Sequence, residues 1–205
     1  MVRLKKVYRR ILELARPYLR ARDGEAHVRD VLRFAFELLD GGGGEEEVVI
    51  PAVILHDTGR SFLPEGLLDR SWGPWADLEV VRIHELEGVK VAEKVLREVN
   101  YESAKIAEIL EIIDGHDTRP YALSVNDMIV KDADRLARYT RRFVLYTSRH
   151  FRVSPLKVCE RLEAFIGRWF YLERSKGIAR EEIAKRRREV LSGDGLCALW
   201  DSDNR

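Results

Sequence analysis

Apolar residues recur three and four positions apart along most of this chain, which confines it to helices that each bury one stripe and turn a polar face outward. Leu4, Val7, Ile11, Leu14 and Leu19 form the first stripe, with Pro17 a kink before an Asp23-Gly24 turn. Val28, Val31, Leu32, Ala35, Phe36 and Leu39 form the second, over about 25–39, and the run Gly41–Gly44 ends it. Further helices are expected at about 78–99, 103–114, 124–147, 154–175 and 180–191. Ser124 with Asp127 resembles a capping box, and Ser154-Pro155 sets a cap beside a first-turn proline. The β-branched run Val48–Leu55 fits a buried strand or a buried helix by periodicity alone. Helix is the better choice, because Glu45, Glu46 and Glu47 suit the positive end of a helix dipole and nothing else in the chain supplies neighbouring strands. The fold class is therefore all-α.

With 205 residues, 45% hydrophobic and 35% charged, the chain has enough apolar material for a real core, and disorder as its main state is excluded. The expected organisation is a helical bundle over 1–175 followed by a charged C-terminal helix and tail over 176–205. Thirty-six Lys and Arg against 35 Asp and Glu leave a net charge of +1, so no global field draws the whole chain to nucleic acid or an anionic membrane. Binding of that kind would have to be local, and the run Lys185-Arg186-Arg187-Arg188 is either a solvated face or a site for an acidic or phosphate partner. The two cysteines, Cys159 and Cys197, have neither disulfide-framework nor zinc-site spacing, which favours a reducing compartment. The longest uncharged apolar stretch, eight residues, is too short for a bilayer span, and the basic start lacks the apolar run of a secretory signal. A cytoplasmic protein with no membrane partner is expected.

The chemistry concentrates on histidines. Four of the five, His27, His56, His84 and His116, lie beside or near acids, in His56-Asp57, His84-Glu85 and His116-Asp117, with Asp132 and Asp134 on a later helix. Imidazole and carboxylate are the ligands of divalent first-row metals, and residues from separate helices can converge inside a bundle to bind one. A single histidine on an apolar face is more often a packing residue. His56-Asp57 differs because it ends the most hydrophobic segment, where an unpaired imidazole and carboxylate would be costly and a cation would offset that cost. Thr58-Gly59 lets the chain turn there. His84-Glu85 is not a zinc-peptidase H-E-x-x-H, since position 88 is glycine.

Leu55-His56-Asp57-Thr58-Gly59-Arg60, with His27 upstream and Asp132-Ala133-Asp134-Arg135-Leu136 downstream, resembles the HD superfamily of metal-dependent phosphohydrolases. The resemblance covers roughly 25–137 and implies an all-helical bundle with His27, His56, Asp57 and Asp132 as metal ligands, Asp134 being the alternative to Asp132. His84 and His116 fall where HD-GYP phosphodiesterases and other dinuclear members place two further histidines, so they either hold a second metal or act on the substrate around a single ion. No Gly-Tyr-Pro element accompanies them. The implied activity is hydrolysis of a phosphomonoester or phosphodiester, a nucleotide or similar small ester, by a metal-activated water. The implied cofactor is one or two divalent ions among Mn, Mg, Co, Ni, Zn and Fe. Asp57 would contact or bridge the nucleophile, one of His84 or His116 would protonate the leaving group, and Arg60, Arg119, Lys131 and Arg135 are candidates to hold phosphate. The loop 61–75, with Phe62, Trp72 and Trp75, would either close the site or pack onto the body.

Two other readings use the same residues. HD-like proteins resembling inositol oxygenase hold a di-iron pair with six His and Asp ligands, and all six counterparts are present. A non-catalytic module would instead bind a nucleotide or nucleic acid through the scaffold and its basic C-terminal helix, which so many buried ionisable groups disfavour.

Overall fold

A computed structural model describes residues 4–21, 24–72 and 76–192, and among them there are ten α-helices and no strand. Asp23, Trp75 and the stretch from 193, with Cys197, lie outside the described residues. The chain divides into two compact units between Lys131 and Asp132.

The first unit contains α1 (Lys6–Ala15), α2 (Gly24–Leu39), α3 (Glu46–Leu55), the single turn α4 (Glu65–Leu68), α5 (Leu78–Glu98), α6 (Ser103–Ile113) and the start of α7 (Val125–Ala137). α3 is its axis. From Val48 to Leu55 every residue is buried, so the helix has no polar face, and α1, α2, α5 and α6 pack around it. Its negative first turn is Glu46 and Glu47, and the Glu45 N–H before it donates to Asn126 Oδ1 at 2.7 Å. Pro51 sits inside α3 and has no N–H to give the Glu47 carbonyl, which instead accepts the Tyr101 hydroxyl at 2.8 Å. Pro17 likewise ends α1 in a 3-10 turn at Arg16–Tyr18. The expected loop after residue 58 is broken into short helical turns, with 3-10 turns at Thr58–Phe62 and Asp69–Ser71 on either side of α4. Phe62 is half exposed and stacks on Tyr18.

Ser124 caps α7 as expected: Asp127 N–H donates to Ser124 Oγ, and Asp127 Oδ2 reaches back to the Leu123 N–H. The second unit continues with α8 (Arg141–Phe151), α9 (Pro155–Trp169) and α10 (Glu173–Leu191). Two helices expected to be continuous are broken. The 124–147 helix stops at Ala137, where Thr140 donates its hydroxyl to the Ala137 carbonyl and caps α8 by accepting the Phe143 N–H. The 154–175 helix stops at Trp169. Asp132 there accepts the Tyr171 and Leu172 N–H groups at 3.0 and 2.9 Å, and α10 starts afresh at Glu173 rather than near 180. The basic run is not a uniform solvated face: Arg186 is buried between Glu182 and Glu189, and Arg187 pairs with Glu163. Cys159 is buried and free.

Candidate metal centre

His56 closes α3 as its C-terminal cap, and Asp57 leads into the 3-10 turn, so both side chains emerge where the most apolar helix of the protein ends. That turn presses against α5. A Cβ on Gly59 would stand 1.9 Å from the His84 carbonyl oxygen and 2.4 Å from the Gly88 nitrogen, and one on Gly88 would stand 3.2 Å from the His56 carbonyl. Only two glycines facing each other permit this approach, and it brings His84 beside Asp57. His116 and Asp117 arrive on the turn after α6, made tight by Gly115 at φ +93°.

The side chains form two groups that share Asp57: His27, His56 and Asp57 in one, and Asp57, His84, His116 and Asp117 in the other. Within each group the ligating atoms lie within 4.8 Å of one another. Asp57 Oδ2 is 3.6 Å from both His27 Nε2 and His56 Nε2, while Oδ1 is 3.6 Å from both His84 Nε2 and His116 Nε2. Asp117 Oδ2 closes the second group, 3.6 Å from His84 and 3.7 Å from His116. The imidazole nitrogens face each other at 3.3 Å (His27 and His56) and 3.4 Å (His84 and His116). Two ligands roughly 2.1 Å from one ion, at roughly 90–110° to each other, stand about 3.0–3.4 Å apart, so each pair has the span of a shared cation.

The surroundings fit a metal as well. His56 Nδ1 lies 2.8 Å from the Val53 carbonyl and His116 Nδ1 lies 2.9 Å from that of Ile113, contacts in which Nδ1–H donates and Nε2 is turned toward the cluster. Asp57 Oδ1 is buried without a hydrogen bond, although Arg60 Nε stands 2.7 Å away out of line. A buried carboxylate oxygen with two imidazole nitrogens 3.6 Å away and no in-line hydrogen bond can take a cation as a further partner.

Electrostatics follow from the same contacts. Burial would raise the Asp57 carboxyl, but Arg60 and the neighbouring histidines outweigh it and hold it well below the usual range. His84 is pushed down to about 3, first by burial and then by Arg60 and His116. His116 is raised to about 9, because Asp117 and Asp57 overcome its burial. Of the two imidazoles, His116 is the one whose surroundings favour the charged form.

Glu85 is fully buried behind the second group. Its Oε1 accepts the Asp117 and Thr118 N–H groups at 2.9 and 2.8 Å, and Oε2 accepts the Thr118 hydroxyl and Arg82. Burial would raise it, but His116, Thr118 and Arg82 together lower it. The same turn is held from the other side by Lys131, whose Nζ donates to the carbonyls of Gly115 and His116 at 2.8 Å and of Arg119 at 3.3 Å. Arg119 donates to the Glu111 and Asp114 carbonyls and to Asp127. Arg60 lies inside the site, between Asp57 and Asp117, and is held by Ser71 Oγ at 2.7 Å. In the second unit Arg135 bonds the Trp169 carbonyl and covers the Tyr171 ring, and Asp134 pairs with Arg138 at 3.1 Å. Asp132 commits both oxygens to Tyr171 and Leu172, and burial raises its carboxyl above the ordinary value.

Sequence reasoning missed Asp117 as a ligand candidate and Glu85 and Gly88 as parts that position the site, and it gave Gly59 a turn but not its close approach to His84. The signal for Asp117 was in plain view, because His116-Asp117 repeats His56-Asp57. The role of Glu85 needed the fold, since its partners lie more than thirty residues on.

No helix of the described residues is long and apolar enough to cross a membrane. No curated protein and no solved structure matches the chain. A family model described as the HD domain matches residues 24–139, more than half of the sequence. The match runs from α2 past the end of α7 and takes in every member of both groups, and on it the chain belongs to the HD domain family.

Proposed function

We propose that this site hydrolyses a phosphate ester of small-molecule size, a nucleotide or similar monoester or diester, with the help of two divalent ions. The observation that carries the reading is Asp57, whose two oxygens face two different imidazole pairs. Such ions, when bound, lower the pKa of a coordinated water from 15.7 to roughly 7 and offset charge on phosphate oxygens. His27, His56 and Asp57 would hold one, and Asp57, His84, His116 and Asp117 the other. The paired geometry of His84 and His116 supports a ligand role over proton donation.

Arg60 is the cation best placed for substrate. It reaches Asp57 and Asp117 at once, is held by Ser71, and its planar guanidinium can grip two phosphate oxygens. Lys131 and Arg119 donate to backbone carbonyls around His116, which supports a positioning role for both. Arg135 does the same at Trp169. Asp132 holds the start of α10, and an Asp132→Asn variant tests whether it also serves as a ligand.

The test is metal analysis of the purified protein together with phosphate release from a panel of monoesters and diesters under Mn, Mg, Co, Ni, Zn and Fe. Two equivalents of metal and metal-dependent hydrolysis are expected; His56→Ala should lose one equivalent, Asp57→Ala both, and each should lose hydrolysis. Bound iron with oxygen consumption and no phosphate release would replace this reading with the di-iron oxygenase one.

A further inference from the structure

The near-neutral total conceals an uneven division of charge. Residues 1–131 hold nineteen Lys and Arg against twenty-four Asp and Glu, whereas residues 132–205 hold seventeen against eleven, a net charge of +6. Eleven acids cannot neutralise seventeen bases within that unit whatever pairs they form. The excess is also on the surface: among the described residues of the second unit nine Lys and Arg are exposed, against four acids.

The basic run on α10 is not the best-formed part of this surface, because its two middle arginines are occupied by Glu182, Glu189 and Glu163. α9 is better organised. Lys157, Arg161 and Phe165 follow one another at spacings of four, and Arg168 and Trp169 lie three and four residues beyond Phe165, so they occupy one side of the helix over about 18 Å. Lys157, Arg161 and Arg168 are exposed, and the acids of the helix, Glu160 and Glu163, lie to one side, with Glu163 taken by Arg187. Phe165 and Trp169 stack with ring centroids 4.4 Å apart and planes 14° from parallel. Arg168 lies over the Phe165 ring at 4.6 Å and Arg138 over the Trp169 ring at 5.4 Å, so each ring of the stack carries a guanidinium.

We propose that this stripe of α9 binds a single-stranded nucleic acid. Lys157, Arg161 and Arg168 contact successive phosphates, and a base stacks on the outer face of the Arg168 guanidinium, held flat by Phe165. The alternation of cation and ring favours this partner: a phosphodiester strand offers charges at regular spacing and a π-face between them, whereas a lipid surface offers charge alone. The assignment does not depend on hydrolysis at the metal centre.

Fluorescence anisotropy of the full chain with a labelled 20-nucleotide single strand, titrated at several salt concentrations, tests the proposal. The variant is Arg161→Glu with Arg168→Glu, and the control is Arg180→Glu with Lys185→Glu, an equal reversal at exposed positions of α10 off the stripe. Binding by the unaltered chain should weaken with salt. The α9 reversal should weaken it about tenfold or more and flatten the salt slope by about 1.4, since two phosphates are no longer neutralised, while the control changes it much less. No binding by the unaltered chain would overturn the proposal. So would equal weakening in both variants, which would mean a diffuse field, or tighter binding to phosphatidylserine vesicles than to the strand, which would mean a membrane surface. Circular dichroism of both variants checks that they remain folded.

Discussion

Up to Lys131 the chain turns charge inward: imidazoles, Asp57 and Glu85 lie buried where α3, α5 and the turn after α6 converge. From Asp132 onward most of the charge lies outward, and the buried charges have partners close by: Asp132 ties down a helix start, Asp134 pairs with Arg138, and Arg186 pairs with Glu182 and Glu189. The difference lies in the partners. A buried charge held by backbone N–H groups or a counter-charge is satisfied without a ligand, whereas a carboxylate facing four imidazole nitrogens at 3.6 Å is set among groups that can share a cation with it.

The largest effect that would break this contrast is expected at Asp57. Asp57→Ala should abolish metal retention at both positions and lower hydrolysis by on the order of 10³-fold; full retention of one ion would mean that the two groups do not share this residue. Gly59→Ala should come next, because its Cβ would meet the His84 carbonyl, and a loss of about 3 kcal/mol in denaturant unfolding is expected. Glu85→Gln keeps the shape and an oxygen for the two N–H groups, but it removes the charge and turns an amide donor toward Arg82. It should cost about 10–100-fold in metal affinity or activity with little change in melting temperature. Asp132→Asn sharpens the comparison from the other side, with an expected loss of about 1–2 kcal/mol in stability and unchanged metal content.

A smaller effect is a pH dependence. Asp117 and Asp57 favour the protonated form of His116 against its burial, raising it to about 9, so a metal binding there competes with a proton. Metal affinity should therefore rise with pH, approaching tenfold per unit from about 7 to 9 and levelling above, with a proton released on loading in weak buffer near neutrality. An affinity flat across that range would show that His116 takes no part in binding.

What the sequence disclosed depended on the range of the interactions involved. The buried helix at 48–55 was legible because its acids and apolar run are neighbours, and His56-Asp57 stood out at its end. The helix breaks were illegible, since the chain near 170 is shaped by a carboxylate almost forty residues earlier. The arginines and lysine beside the motifs looked alike as phosphate candidates. Only the fold distinguishes Arg60, inside the site, from Lys131, Arg119 and Arg135, which reach backbone carbonyls. Charge was misleading in a different way, because a total of +1 averaged an acidic stretch and a basic one.

The proline in α3 bears on the position of everything beyond it. A helix apolar on every side carries few marks that would stop it sliding lengthwise among its neighbours, since a shift of one turn exchanges one aliphatic contact for another. The carbonyl that Pro51 leaves unclaimed, received by the Tyr101 hydroxyl, supplies such a mark. It indexes α3 along its own axis, and with it the depth at which His56 and Asp57 stand.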